Sequence, residues 1–338
     1  MQTIKIGGRE IGSGRPCYII AEIGLNHNGS AALAKKMISA AKKCGADAVK
    51  FQAYKTAKFV DRKQKAMYDF LRKSELTEGQ FAELKKYADK KKICFFASVW
   101  NFESADLMQK LKAPCFKIGS GELTNLPMLK HVAEKKKPVI VATGMAALSE
   151  IRDALNVIYS TGNRKAILLH CVSQYPPAAD KLNLRKIQFF EKKFHVPVGF
   201  SDHSLGNAVA IAAVALGACV IEKHFTLDKT LPGPDQALSA DIKELKELVE
   251  SIRLTERALG SAKAGVVEPK EQRVLSRKSL YAAEEIKAGE RITSKKIAMM
   301  RPAVGIEPKH LAKVIGKRAK ARIPFGEVIT WQKIQRQG

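Results

Sequence analysis

Eight short runs of almost unbroken apolar residues punctuate the chain up to residue 225: "CYIIAEIG" (17–24), "DAVKFQ" (47–52), "ICFFAS" (93–98), "CFKIGS" (115–120), "PVIVATG" (138–144), "AILLHCVS" (166–173), "VPVGFSD" (196–202) and "CVIEKHF" (219–225). A strand with one wet face alternates apolar and polar residues. A strand covered on both faces by helices does not, so these runs predict a parallel sheet buried between helices. The segments between them, such as "SAALAKKMISAAKK" and "TEGQFAELKKYADKKK", repeat apolar residues at helical spacing and begin on polar ones. Eight β/α repeats over about 260 residues predict an α/β fold of the TIM (β/α)8 barrel class. A doubly wound open sheet shares this periodicity, and the pattern alone does not prove closure.

The rhythm changes after residue 260. Residues 261–277 are mixed, charged and Gly-containing, which predicts a linker. Residues 278–338, with "SLYAAEEIKAGERITSKKIAMMRPAVGIEP" and "IPFGEVIT", read as short strands broken by turns. So small a mostly β module gains stability from docking on something larger.

Composition narrows the class. Of 338 residues, 46% are hydrophobic, as in an ordinary globular protein. The start "MQTIKIGGRE" lacks a basic stretch followed by an apolar one, and the apolar run 208–221 is shorter than the ~18–20 residues a bilayer span needs. A cytoplasmic protein with no membrane partner is expected. The six cysteines have no CxxC spacing and several sit in apolar runs, which predicts reduced thiols in the core. A net charge of +26 would suit nucleic acid or an anionic small substrate. The lysines, however, cluster in runs such as "KKYADKKK" where helices end, and no basic stripe interleaved with aromatics appears. They read as solvated faces, and a nucleic-acid partner is not expected.

The candidate chemistry lies at strand ends. In an extended "IEKHF", Glu222 and His224 share one side while Ile221, Lys223 and Phe225 share the other. His203 follows the seventh strand, the neighbour of the eighth. Two imidazoles and a carboxylate on one barrel rim suit a divalent ion such as Mn²⁺ or Zn²⁺, and two hydrogen-bonded structural histidines are the plainer reading. Other strand ends add Glu22, Lys50, Gln52, Ser98, Lys117, Ser120 and Glu122. A lysine in a buried strand is costly without a partner, so two of them at equivalent positions favour an anionic ligand, phosphate or carboxylate. A pure binding protein has no need for two such lysines beside two rim histidines.

Taken together, "IAEIGLNHNG", "VKFQ", "FKIGSGE", "ATGM", "LLHCVSQYP", "GFSDHSLG" and "IEKHFTL" resemble the N-acetylneuraminate (sialic acid) synthase family, and the C-terminal module resembles its antifreeze-like (SAF) domain. The resemblance implies condensation of phosphoenolpyruvate with an open-chain N-acetylated hexosamine, such as N-acetylmannosamine, to a nine-carbon 2-keto-3-deoxy acid. Legionaminic and pseudaminic acid synthases are alternatives within it. It further implies a metal, Mn²⁺ before Mg²⁺, Co²⁺ or Zn²⁺, held by His203 and His224 with Glu222 in reach. Lys50, Lys117, Ser98, Ser120 and Ser201 would bind phosphoenolpyruvate. Glu22, Glu122, Tyr175 and Asp235, beside Gln52, would meet the sugar, with Glu22 a candidate for proton transfer. The SAF module would reach over the partner's barrel in a domain-swapped homodimer and bring Arg301 to the sugar. Four positions depart from the family pattern: Ala142 replaces a frequent serine, Gln236 a histidine, Ser173 an asparagine, and "SVWN" stands for "TPFD". The charged stretch between "YKT" and "SELTEGQ" predicts nothing further.

Overall fold

The computed structural model describes residues 3–261, 263 and 265–335, which fall into two compact units, Met1–Gly260 and Ser261–Gly338. A short antiparallel hairpin opens the first, β1 (Ile4–Ile6) and β2 (Arg9–Ile11). Eight parallel strands follow: β3 (Tyr18–Gly24), β4 (Ala48–Ala53), β5 (Cys94–Val99), β6 (Phe116–Ile118), β7 (Val139–Ala142), β8 (Ala166–Cys171), β9 (Val198–Asp202) and β10 (Val220–His224). They pair in chain order, and β10 closes on β3, so the sheet is a barrel and not an open one.

Helices alternate with the strands: α1 (Ala31–Lys43), α2 (Lys65–Ser74), α3 (Glu78–Lys90), α4 (Phe102–Lys110), α5 (Leu126–Glu134), α6 (Leu148–Ser160), α7 (Lys186–Phe194), α8 (Ala208–Ala215) and α9 (Ile242–Leu259). Their ends follow local rules. Thr77 and Gln80 form a reciprocal cap on α3, and Asp241 and Glu244 one on α9. The lysine runs fall in last turns, Lys42 and Lys43 on α1, Lys90 on α3, Lys192 and Lys193 on α7, where they complement the helix dipole.

The strand interiors are buried throughout, and one continuous apolar cluster joins barrel and helices. The hairpin belongs to that cluster through Ile4, Ile6 and Ile11. It lies at the N-terminal strand ends, where a Cβ on Gly7 would sit 3.1 Å from the Cys94 sulfur and 3.8 Å from the Tyr18 hydroxyl. The Asp47 carboxylate ties this end together, accepting from Ile19 N–H at 2.9 Å and pairing with Arg253 of α9 at 3.2 Å and with Arg9. All six cysteines are free thiols. Among the described residues no helix is long and apolar enough to cross a membrane.

The second unit has its own apolar core, including Leu280, Ile292, Ile306, Ile323 and Ile329. It contains α10 (Lys270–Ser276), the antiparallel pair β11 (Ser279–Ala282) and β12 (Ile297–Met300), and a short helix α11 (Leu311–Val314). Part of the stretch read as a linker is therefore helical.

Candidate active site

Strand register puts the polar residues side by side at the C-terminal rim. Glu22 of β3 pairs with Lys50 of β4 on one side and with His224 of β10 on the other. Gln52 pairs with Ser98 of β5, Ser98 with Lys117 of β6, and Ser201 of β9 with Glu222 of β10. Their side chains line one cavity of about 1070 Å³, together with Ser120, Tyr175, His203 and Asp235 from the loops after the strands. Gly24, at φ +53°, makes room for them, because a Cβ there would lie 3.2 Å from Glu22 Oε1 and 3.6 Å from the His224 ring.

At the floor two lysines and two glutamates interlock. Lys50 Nζ lies 2.8 Å from Glu22 Oε2 and 3.7 Å from Glu222 Oε2, and donates to Ser98 Oγ at 2.8 Å. Lys117 Nζ donates to Glu222 Oε1 at 3.1 Å, an oxygen that also accepts from Ser201 Oγ at 3.0 Å. All four ionisable side chains are at least 94% buried. Their environments drive the carboxyls apart. Burial pushes Glu22 up to about 7 against the pull of Lys50. Burial also acts on Glu222, but the Lys117 and Lys50 ammoniums and the Ser201 hydroxyl hold it down to about 2. Two nearby carboxyls so separated divide between a proton carrier and a permanent anion.

The two imidazoles stand 5.5 Å apart, centre to centre, and Tyr175 stacks on His203 at 4.1 Å. His203 donates from Nδ1 to the Val172 carbonyl at 2.9 Å, which leaves Nε2 as the nitrogen whose lone pair can meet a metal. Burial, then the nearby His203, keeps His224 well below the usual imidazole range and hence neutral. Its Nδ1 is buried without a hydrogen bond, 3.8 Å from Asp235. Two nitrogen donors thus fit a divalent ion that takes its other ligands from outside the chain. Among the described residues no three His, Cys, Asp or Glu side chains converge as a complete ligand set. Glu222 serves the lysines as counter-ion, Lys117 and Ser201 occupying one of its oxygens while the other lies 3.7 Å from Lys50 without a hydrogen bond.

One expected sugar contact lies outside the cavity wall. Glu122 does not line the cavity: residues Ser120–Glu122 form a 3₁₀ turn, and its carboxylate accepts from Asn125 at 2.7 Å at the start of α5. Arg301 follows β12 in the second unit and is exposed. Gln236, at the position of the absent histidine, is buried outside the cavity wall, where it accepts from Thr226 and donates to the Asn26 carbonyl at 2.9 Å. Ala142 and Ser173 do line the cavity.

The charged stretch thought uninformative contributes α2, whose Met67, Phe70 and Leu71 reach the cavity at one-face helical spacing. That spacing was the available signal. With Phe59 and Trp100 they form an apolar wall of the cavity, the Phe59 and Trp100 rings 4.7 Å apart. Trp100, from the unusual "SVWN", packs on Gly119, where any Cβ would come within 2.7 Å of the indole.

The sequence pattern of the NeuB family matches residues 37–264, and that of the SAF domain residues 277–335. An uncharacterised protein of Methanocaldococcus jannaschii is 45% identical over 333 residues, 98% of either chain. The N,N'-diacetyllegionaminic acid synthase of Legionella pneumophila is 39% identical over 353 residues, again 98% of each. The crystal structure of the N-acetylneuraminic acid (sialic acid) synthetase of Leptospira borgpetersenii, in complex with citrate, is 37% identical and superposes with a TM-score of 0.75, covering 80% of this chain and 94% of that one. With its barrel rim, its paired lysines and a family match spanning most of the barrel, the chain belongs to the NeuB family and carries a C-terminal SAF domain.

Proposed function

We propose that the protein is a cytoplasmic synthase that joins phosphoenolpyruvate to the open-chain aldehyde of an N-acetylated hexosamine, giving a nine-carbon 2-keto-3-deoxy sugar acid and phosphate. The observation that carries this reading is the buried pair Lys50 and Lys117, set beside two imidazoles in one cavity. The ammoniums, with Ser98, Ser120 and Ser201, bind the phosphate and carboxylate and hold C3 of the enol near the aldehyde carbon. His203 and His224 would hold a divalent ion, Mn²⁺ before Mg²⁺, Co²⁺ or Zn²⁺, which supplies Lewis acidity at the aldehyde oxygen.

The bonds balance as follows. C3 of phosphoenolpyruvate bonds to the aldehyde carbon, and the aldehyde oxygen takes a proton from Glu22, whose carboxyl sits near 7. Water adds to the resulting cationic C2 and gives a proton back to Glu22. The C2–O bond to phosphate then breaks, the C2 hydroxyl gives its proton to the departing phosphate, and the ketone remains. Gln52, Tyr175 and Asp235 orient the sugar from the rim. In this reading the SAF unit docks across a two-fold axis, and the partner's Arg301 meets the acetamido carbonyl.

A second reading of the sugar has its own support. The wall of Phe59, Met67, Phe70, Leu71 and Trp100 offers methyl-sized contacts and few hydrogen bonds, which suits a diacetamido-trideoxyhexose better than a fully hydroxylated one. The experiment is phosphate release from phosphoenolpyruvate with Mn²⁺, comparing N-acetylmannosamine with diacetamido-trideoxyhexoses by kcat/KM. No phosphate release with any acetamido-hexose overturns the synthase reading.

A further inference from the structure

On the outer face of the barrel, behind the two imidazoles, one ammonium joins their backbones. Lys223 Nζ donates to Asp202 Oδ2 at 2.7 Å and to the Ser204 carbonyl at 2.8 Å. Asp202 Oδ1 in turn accepts from the Ser204 N–H at 2.9 Å and from its hydroxyl at 2.6 Å. Asp202 and Ser204 are the two chain neighbours of His203, and Lys223 is a chain neighbour of His224. The strands pair Lys223 with Asp202, and each histidine is the next residue along. The ion pair is sealed, its side chains 3% and 0% exposed.

A buried ion pair of this kind adds little to stability over a well-packed apolar pair, because desolvation offsets the attraction. What it does fix is geometry. An ammonium with three donors, two of them committed to both flanks of one histidine, resists the slip or rotation that would alter the distance between the rings. Among the described residues the cavity face shows no equivalent tie: the His203 ring is anchored there on the Val172 carbonyl, while the His224 ring nitrogen Nδ1 is unbonded.

We infer that the buried Lys223–Asp202 pair is a positioning device that sets the spacing of His203 and His224 for metal binding, without itself touching metal or substrate. This rests on the reading that the two histidines hold a divalent ion. The two ideas are separated by measuring Mn²⁺ binding directly, by electron paramagnetic resonance of the full-length protein without substrates. Wild type should bind Mn²⁺ and His224→Ala should not; equal binding by both, or none by wild type, ends the metal reading and this inference with it. The double variant Lys223→Met/Asp202→Asn removes the charges but keeps an acceptor for Ser204. It should melt within a few degrees of wild type yet bind Mn²⁺ about tenfold more weakly, with kcat recovering at saturating Mn²⁺. A folded double variant with wild-type Mn²⁺ affinity makes the pair purely structural and overturns the inference. Should the double variant not fold, Lys223→Arg keeps the charge while misplacing its two hydrogen bonds, and the same readout decides: several-fold weaker Mn²⁺ binding supports the role, and unchanged affinity refutes it.

Discussion

The Lys50 ammonium lies 2.8 Å from the Glu22 carboxylate, and both side chains are 3% exposed at the floor of a cavity open at the barrel rim. Lys50→Met keeps the volume of the stem and removes the charge. The expected result is a loss of about 10²–10³ in kcat/KM for phosphoenolpyruvate, roughly 3–4 kcal/mol of charge stabilisation in a dry site. Steady-state phosphate release with each substrate varied checks it, and a loss under about tenfold would remove Lys50 from the anion site.

Glu22 sits near 7 because burial raises it more than Lys50 lowers it. In the proposed mechanism Glu22 donates from its neutral form, so kcat/KM should fall as pH rises through about 7, and Glu22→Gln should lose that limb together with most of its activity. The fold should register the same shift with a defined sign. Between the ordinary carboxylate value and about 7 the folded chain retains a proton that the unfolded chain has released, so the relative stability carried by Glu22 is full at acid pH and lost as pH rises across that window. The Tm of Glu22→Gln minus that of wild type should therefore grow from about pH 5 to about pH 8. A constant difference would show that Glu22 titrates at its ordinary value.

His224→Ala removes a neutral imidazole, its Nδ1 without a hydrogen bond, from the rim and not from the apolar core. Turnover should vanish while the circular dichroism spectrum and Tm stay close to those of wild type. Near-normal turnover in this variant would make His224 a bystander.

Gly199 of β9 is a packing requirement. A Cβ there would lie 2.5 Å from the Val220 carbonyl oxygen and 2.7 Å from a Leu169 methyl, inside the sheet on both sides. Gly199→Ala should cost about 1–3 kcal/mol in urea unfolding, the range for overpacking a tight core. A change below about 0.5 kcal/mol would mean that the strands part without strain.

The apolar wall predicts substrate choice. Phe70→Ala should lower kcat/KM for a diacetamido-trideoxyhexose by about tenfold and leave N-acetylmannosamine nearly unchanged, as expected for one lost apolar contact. Equal losses on both sugars would place Phe70 outside the discriminating contacts.

All eight barrel strands were legible because burial on both faces strips them of polar positions, and closure was not, because register between first and last strand leaves no local mark. The hairpin Ile4–Ile11 escaped notice although "IKIGGREI" carries a Gly-Gly turn between apolar positions; its strands are only three residues each. Rim residues within a strand, such as Lys50, Ser98 and Glu222, follow from alternation of side-chain direction. Glu122 lies beyond the reach of any strand period, because the strand ends at Ile118 and Ser120–Glu122 form a 3₁₀ segment. Asp235 and Tyr175 lie on loops, where no period applies, and only the family resemblance singled them out. Lys223 was read as merely facing outward, and its pairing with Asp202 needed the register of two strands.

The interlocked glutamates and lysines leave the cavity floor close to electroneutral before any ligand arrives. A multiply charged anion entering such a space carries its excess negative charge into poorly solvated surroundings, and the nearest relief is protonation of Glu22, already poised near neutrality. Phosphoenolpyruvate should therefore drag a hydrogen ion into the protein from a weakly buffered solution, and its apparent affinity should strengthen as the medium is acidified towards neutrality from the alkaline side.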